Sequence, residues 1–368
     1  MNDSMLRRIT AIVLTISMIQ LCFLVFIQDV QALSVHIQPK RISTENHNLK
    51  PNELPRTNAR AAALVDVTSG RVLYSENGDQ QLPMASTTKI MTAILAIELG
   101  NLKDKVKISR SAFGKEGSSI YLRKGEEMSL ENLLYGLMLR SGNDAAVAIA
   151  EHIGGSEEGF VFLMNQKAEE LGLDNTQFRN PHGLDSDGHY TSAIDLAKLS
   201  AYALHNATFR EIVKTKQKTA PNPIDDWDYK WTNKNKMLRK YEGADGVKTG
   251  FTSHAHRCLV SSATRNGQQL TAVTLNDGSD WADHERMLNY GFSEYPLRAI
   301  VTSGHAVEGY PFHASEDVKY PLAEQEQDEI SYKVKIFSPH SLDYRLGRRG
   351  LLEIYHQQQR IASVPLKG

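Results

Sequence analysis

One apolar run, Ile90 to Leu99, constrains this chain more than any other stretch. Pro83 stands before it and Gly100 after it, the punctuation of a helix start and stop. Ile90, Ile94 and Ile97 recur at helical spacing and Met91 and Leu95 fill the flanks, so the helix is predicted to be buried nearly all round. At its front lies Ala85-Ser86-Thr87-Thr88-Lys89, with Ser86 and Lys89 three residues apart. On a helix that spacing puts both side chains on one face, within touch. Burial would hold Ser86 still, and the positive end of the helix dipole would favour negative charge developing there.

A serine hydroxyl is a poor nucleophile until a base takes its proton, and a lysine amine serves only when neutral. The free side chain titrates near about 10.4, so burial or a second cation must push it down. Lys248, which opens Lys248-Thr249-Gly250, is such a cation, and Ser141-Gly142-Asn143 falls between the two motifs. S-x-x-K occurs once and K-T-G once, whereas S-x-N also fits Ser75-Glu76-Asn77. The weight lies in the ordered set of three, each on a plausible element.

The 368 residues suffice for one large domain and a small one, and 41% hydrophobic with 23% charged residues describes an ordinary folded protein. A formal net charge of -1 offers no basic excess for a nucleic acid. Residues 1–32 read as a signal peptide: Arg7 and Arg8 precede the apolar Ile9 to Ile27, and Val30-Gln31-Ala32 is a small-residue cleavage site. An uncleaved anchor is the competing reading and would bring membrane contact. Either way the working domain is exported, to the extracytoplasmic face of the membrane, the cell wall or the medium. Cys22 follows the large Leu21, which argues against a lipid anchor. Its loss with the signal leaves Cys258 without a disulfide partner, so the fold relies on its core.

Residues 33–58, polar and bearing Pro39, Pro51 and Pro55, read as a flexible leader. Two short apolar runs around Thr68-Ser69-Gly70 form a hairpin signal. From Ser129 to Leu171 the pattern is helical, broken by Ser141-Gly142-Asn143. Asn180 to Tyr190 is a polar loop whose His182, His189, Asp185 and Asp187 fit no zinc spacing. Thr191 to His205 is a helix with Ser192 and Asp195 as a capping pair. Gly246 to Phe251, Arg257 to Thr264 and Gln269 to Leu275 read as strands, the last two joined by the tight turn Asn266-Gly267. Lys248-Thr249-Gly250 is then on a strand that a substrate could join at an edge. Trp281 to Tyr290 is a helix expected to stop at Gly291, and past Leu297 only short strand-like pieces follow. The organisation read here is a catalytic domain over 59–296 and a small β-rich domain over 297–368.

The ordered motifs, with Asn180-Pro181-His182-Gly183-Leu184 and Cys258-Leu259-Val260, resemble the low-molecular-mass penicillin-binding proteins, serine-type D-alanyl-D-alanine carboxypeptidases. The likeness runs from about Ala59 to the C-terminus. It implies an α+β fold, an antiparallel sheet flanked by helices on both faces, followed by a small all-β domain. It implies that Ser86 attacks the carbonyl between two D-alanines of a peptidoglycan stem peptide and that neutral Lys89 takes its proton. The backbone N–H groups of Ser86 and Phe251 would bind the oxyanion, Ser141 would relay a proton, and Lys248 would keep that relay cationic. Asn143 would bond the substrate amide, and Thr249, beside Gly250, the terminal carboxylate. β-Lactams would acylate the same serine, and no metal or cofactor is needed.

Three departures qualify the resemblance. The arginine that assists carboxylate binding in some relatives has no counterpart near Asp277 to Asp283, and His254 and His256 stand where smaller residues are common, read as i, i+2 strand neighbours sharing one solvated face. No amphipathic helix ends the chain at Pro365 to Gly368, so attachment to a membrane there is not expected. The rival readings are a DD-endopeptidase, a β-lactamase with Glu170 as the deacylating carboxylate, and a non-catalytic binder of β-lactams or peptidoglycan.

Overall fold

The computed structural model describes residues 54–222 and 224–368. The expected signal segment and most of the expected leader lie outside the described residues. The last leader residues are tied down: Thr57 donates to Glu76 at 2.6 Å and the Asn58 N–H donates to Asp283 at 2.6 Å. The described chain divides into two compact units, the larger running through Leu297 with Pro321–Glu324, the smaller comprising Arg298–Tyr320 and Gln325–Gly368.

The larger unit is built on the antiparallel strands β1 (Ala59–Asp66), β2 (Val72–Glu76), β3 (Ala244–Thr252), β4 (His256–Arg265) and β5 (Gln268–Asp277). Their order is β2-β1-β5-β4-β3, so the strand carrying Lys248-Thr249-Gly250 is an edge. The β1–β2 turn is closed by Asp66, whose carboxylate accepts from the Ser69 N–H at 2.9 Å and hydroxyl at 2.7 Å. Asn266 and Gly267 both take left-handed backbone, φ 49° and 79°, as a two-residue type I′ hairpin demands.

Strand alternation sorts β1 between two cores. Ala61, Ala63 and Val65 face one helical layer, while Ala62 and Leu64 pack with Leu270, Ala272, Met287 and Leu288 on the other side. The first layer holds α1 (Lys89–Leu99), α2 (Leu130–Tyr135), α3 (Asn143–Gly154), α4 (Glu157–Glu170) and α5 (Ala193–His205). α1 is buried from Lys89 through Ala96, as its pattern predicts. Ser129 and Ser156 cap α2 and α4 by accepting from the N–H groups of Asn132 and Gly159. Ser192 accepts from Asp195 N–H at 3.1 Å, but the expected reciprocal bond is absent: the Asp195 carboxylate instead takes Asn175 N–H at 2.7 Å and the Thr176 hydroxyl at 2.9 Å. Tertiary donors have outcompeted the local one.

The helix on the opposite face, α6 (Asp280–Glu294), corrects the expectation that Gly291 ends it. Gly291 is an interior residue where the helix crosses the sheet; a Cβ there would lie 2.6 Å from Leu270 and 2.7 Å from Leu64. The glycine is a packing residue, not a stop. In the smaller unit, Ile330–Ile336, Gly350–His356, Gln359–Lys367 and His313–Ala314 form a four-stranded sheet with Val334, Leu352, Ile354, Val364 and Leu366 buried. The architecture is the expected α+β sheet flanked by helices, with a separate all-β unit. Among the described residues no helix is long and apolar enough to cross a membrane.

Valine at Gly291 would add branched bulk at the crossing, so Gly291→Val should lower unfolding free energy by about 2 kcal/mol, measured by urea denaturation. An unchanged midpoint would show that the crossing has slack.

Candidate active site

The pair that opens the chemistry sits where a tight turn meets α1. Residues Ala85–Thr88 form one 3-10 turn, pinned by Thr87 and Thr88, whose hydroxyls donate to the carbonyls of Met84 at 2.6 Å and Ala85 at 2.8 Å. Ala85 takes φ 48°, a left-handed value that alanine adopts only under constraint. That bend delivers Ser86, whose Oγ lies 3.0 Å from Lys89 Nζ.

Lys89 is fully buried, and its amine has three neighbours. Besides Ser86 it reaches Asn143 Oδ1 at 2.7 Å and the carbonyl of His182. Burial drives its pKa well below the ordinary lysine value, with Lys248 and then Lys234 adding repulsion. A neutral amine has two N–H groups and one lone pair. Asn143 and His182 take the two hydrogens, which leaves the lone pair for the Ser86 hydroxyl. The pair is therefore set up for Ser86 to give and Lys89 to receive.

The second motif follows α2 through one wider π turn, Gly136–Arg140, and Ser141 closes it with φ 67°. Asn143 begins α3, and its backbone N–H donates to Ser118 at 2.7 Å. The buried Asp144 fastens the facing loop: its carboxylate accepts from the N–H groups of Ile120 and Leu122, each at 3.1 Å, and from the Ser119 hydroxyl at 2.6 Å. Asn143 does not cap the helix, whose N-cap is Gly142. One end of its amide orients Lys89, while Nδ2 donates to the Glu116 carbonyl at 2.7 Å.

Edge strand β3 brings the third motif. Lys248 is buried, its Nζ 3.1 Å from Ser141 Oγ and 2.7 Å from the Thr249 carbonyl. Burial, then the charge of Lys234, pushes its pKa down to about 7. Near neutrality it is divided between cation and free amine. At Gly250 a Cβ would come within 3.1 Å of the Ser86 amide nitrogen and 3.3 Å of the Met84 carbonyl, so glycine admits the strand to the nucleophile. Phe251 follows, largely exposed. Ser86, Lys89, Ser141, Asn143 and Lys248 thus converge, with Gly250 against the Ser86 turn and Thr249 joined through its backbone carbonyl.

Three contributors lie outside the three catalytic motifs, two of them, His182 and Gly183, within the Asn180 to Leu184 segment. Lys234 donates to Ser118 at 3.2 Å and shapes the potential at both other lysines. The only trace in sequence is Asn233-Lys234-Asn235, where both asparagines are buried and Asn235 donates to the Gly246 carbonyl at 2.7 Å. His182 acts through its carbonyl, which no side-chain pattern reveals. Gly183, at φ 84°, lies so close to the nucleophile turn that a Cβ would stand 1.9 Å from the Ala85 carbonyl oxygen.

The remaining expectations resolve individually. His189 sits 2.8 Å from the Thr88 hydroxyl and accepts from Arg179 N–H at 2.9 Å, burial pushing its pKa down to about 4. His182 Nδ1 accepts from Leu184 N–H at 3.2 Å, and Asp185 accepts from Thr252 at 2.8 Å. These residues hold the loop together. Cys258 is buried on β4 with its thiol pushed up to about 12, a packing residue. His254 and His256 are exposed but not strand neighbours, for His254 lies in the β3–β4 turn and His256 has φ 55°. Glu170 ends α4, 53% exposed and paired with Lys167 at 3.0 Å.

A family model described as D-alanyl-D-alanine carboxypeptidase matches residues 48–279. The chain belongs to that peptidase family. It is 41% identical to the D-alanyl-D-alanine carboxypeptidase DacF of Bacillus subtilis over 68% of this chain and 66% of that one. Identity to DacC of Escherichia coli is 35%, over 65% of this chain and 62% of the relative. The matched region thus spans just under two thirds of these relatives. Among solved structures, the Streptomyces K15 DD-transpeptidase is similar with TM-score 0.62 and 34% identity over 66% of this chain and 99% of that one. Penicillin binding protein 5 of Haemophilus influenzae gives TM-score 0.70 at 28% identity, over 87% and 98%.

Gly183→Ala combines a backbone collision with a left-handed φ, so it should cost about 3 kcal/mol of stability in urea titration and displace the Ala85 turn. Ala85→Gly, which relieves the φ 48° strain, should be tolerated in the same assay.

Proposed function

We propose that this protein is a serine-type D-alanyl-D-alanine carboxypeptidase that removes the terminal D-alanine from peptidoglycan pentapeptides through an acyl-enzyme on Ser86. The observation that carries the reading is the environment of Lys89: a buried amine with both hydrogens engaged and its lone pair left for Ser86. The peptidase family, and relatives that carry the carboxypeptidase name, support the substrate class.

In this reading Ser86 Oγ bonds to the carbonyl carbon of the penultimate D-alanine while its proton passes to Lys89 Nζ. The oxyanion lies between the backbone amides of Ser86 and Phe251, brought together because Gly250 lacks a side chain. As the C–N bond breaks, the departing nitrogen takes the hydroxyl proton of Ser141, and Lys248 replaces it when cationic. Asn143 turns Nδ2 from the Glu116 carbonyl to the substrate amide. The proton held by Lys89 passes to Lys248 through Ser141, which restores the free amine; water then cleaves the ester with Lys89 as the base, and its proton goes to the departing Ser86 Oγ.

Chain-end preference is assigned to Thr249, whose hydroxyl would bind the terminal carboxylate. An endopeptidase substrate lacks that free carboxylate. β-Lactam antibiotics would acylate Ser86 by the same path and hydrolyse slowly, and Glu170, engaged with Lys167, supplies no fast deacylation. The substrate places the working site outside the cytoplasmic membrane, which gives residues 1–32 their role as an export signal.

Release of D-alanine from a pentapeptide ending in D-alanyl-D-alanine should vanish in Ser86→Ala, and Lys89→Arg should be nearly as inactive because guanidinium cannot serve as a base. Full activity in either variant would overturn the mechanism. The pH dependence follows from the two lysines. Rate rises with pH as the lowered Lys89 loses its proton and falls as Lys248 loses its own near about 7, giving a bell in kcat/KM. Lys234→Ala removes the charge that depresses Lys248, so the alkaline limb should move to higher pH.

A further inference from the structure

A second cavity adjoins the catalytic loops, with a volume of about 380 Å³. Its floor is Tyr229 and Trp231, stacked with ring centroids 5.6 Å apart, and Trp227 meets Tyr229 edge-on at 6.1 Å. Its wall is shared with the catalytic loops: Arg140 immediately precedes Ser141, and Ser119 follows the Ser118 whose carbonyl binds the Asn143 amide.

Two rings at this cavity are largely exposed to solvent. Trp227 is 60% exposed and Tyr121 is 82% exposed. Tyr121 also takes φ 64°, a left-handed conformation unfavourable for a bulky residue, fixed by its N–H donating to Ser119 at 2.8 Å. Ile120 and Leu122 on either side are buried, so the strain serves to hold one ring outward. The Trp227 loop is likewise fastened, for Arg123 pairs with Asp225 at 2.7 Å and Asn222 accepts from the N–H groups of Ile224 and Asp225. Prearranged aromatic faces ringed by a few polar donors bind flat, amphipathic molecules at small entropic cost.

We propose that this aromatic shelf binds a pyranose ring of the glycan strand that carries the stem peptide. The proposal rests on the function assigned above and gives that substrate a second point of attachment. A pyranose presents C–H groups on its faces, which stack on Trp227 and Tyr121, and hydroxyl and acetamido groups at its edge, which suit Arg140, Lys230 and Ser119. The four residues between the scissile bond and the sugar span about 14 Å when extended, which is the reach the proposal requires. The shelf therefore favours stem peptides still attached to glycan over free peptides.

The test compares kcat/KM for D-alanine release from a disaccharide-linked pentapeptide and from the same pentapeptide free, in the full chain and in Trp227→Ala, Tyr121→Ala and the control Phe162→Ala, an exposed ring on α4. The parent should prefer the linked substrate by about fivefold, mainly through KM, with the preference lost in both shelf variants and kept in the control. No preference in the parent, or one retained by both variants, overturns the shelf. If neither substrate releases D-alanine, the carboxypeptidase reading fails by itself. Calorimetric titration with peptide-free N-acetylglucosaminyl-N-acetylmuramic acid oligomers then decides: saturable binding lost in Trp227→Ala supports the shelf, and no binding by the parent overturns it.

Discussion

The burial of Lys89 is the interaction on which the rest of the structure depends. A lysine out of water is costly as a cation, so the fold lowers the cost by giving up the proton and satisfying what remains. Two acceptors from distant parts of the chain, Asn143 Oδ1 and the His182 carbonyl, meet the amine at the first turn of α1. Each acceptor has its own support. Asn143 is held by Ser118 and Glu116, and the His182 turn is held by Asn180, whose side chain accepts from Gly183 N–H at 2.6 Å. The apolar helix layer and the edge strand are the walls that keep this arrangement dry.

Reactivity and strain are concentrated at the same points. Ala85 and Ser141 have left-handed backbone immediately beside or within two of the three motifs, and Gly183 presses against the Ala85 carbonyl. Such conformations persist where surrounding contacts over-determine them. Here the contacts are the buried helices behind the turn, the Thr87 and Thr88 hydroxyls within it and the β3 edge in front. Electrostatics follow the same plan, since three lysines share a small volume and each makes the next easier to deprotonate.

Much of the fold was legible because it follows local periodicity. The α1 pattern, the Ser192 cap and the Asn266-Gly267 hairpin all depend on residues within a few positions of one another. Where sequence reasoning missed, tertiary contacts had overruled a local rule. Gly291 reads as a stop and is a contact with Leu64 and Leu270; Asp195 reads as a capping partner and serves Asn175 and Thr176 instead. His254 and His256 read as strand alternation and lie at a turn.

The sequence by itself determined which groups are available and in what order: a serine and a lysine three apart, a Ser-Gly-Asn break between apolar helices, and a Lys-Thr-Gly strand. Spacing along a helix or strand is local, so it can be read without coordinates. Only the tertiary structure decided that Asn143 would orient Lys89, that Lys234 would stand beside Lys248, that a backbone carbonyl would complete the amine's shell, and that Tyr121 and Trp227 would line one cavity. Those relations join residues from about 14 to more than a hundred positions apart. Their geometry exists only once the sheet and the helix layer close around the buried lysine.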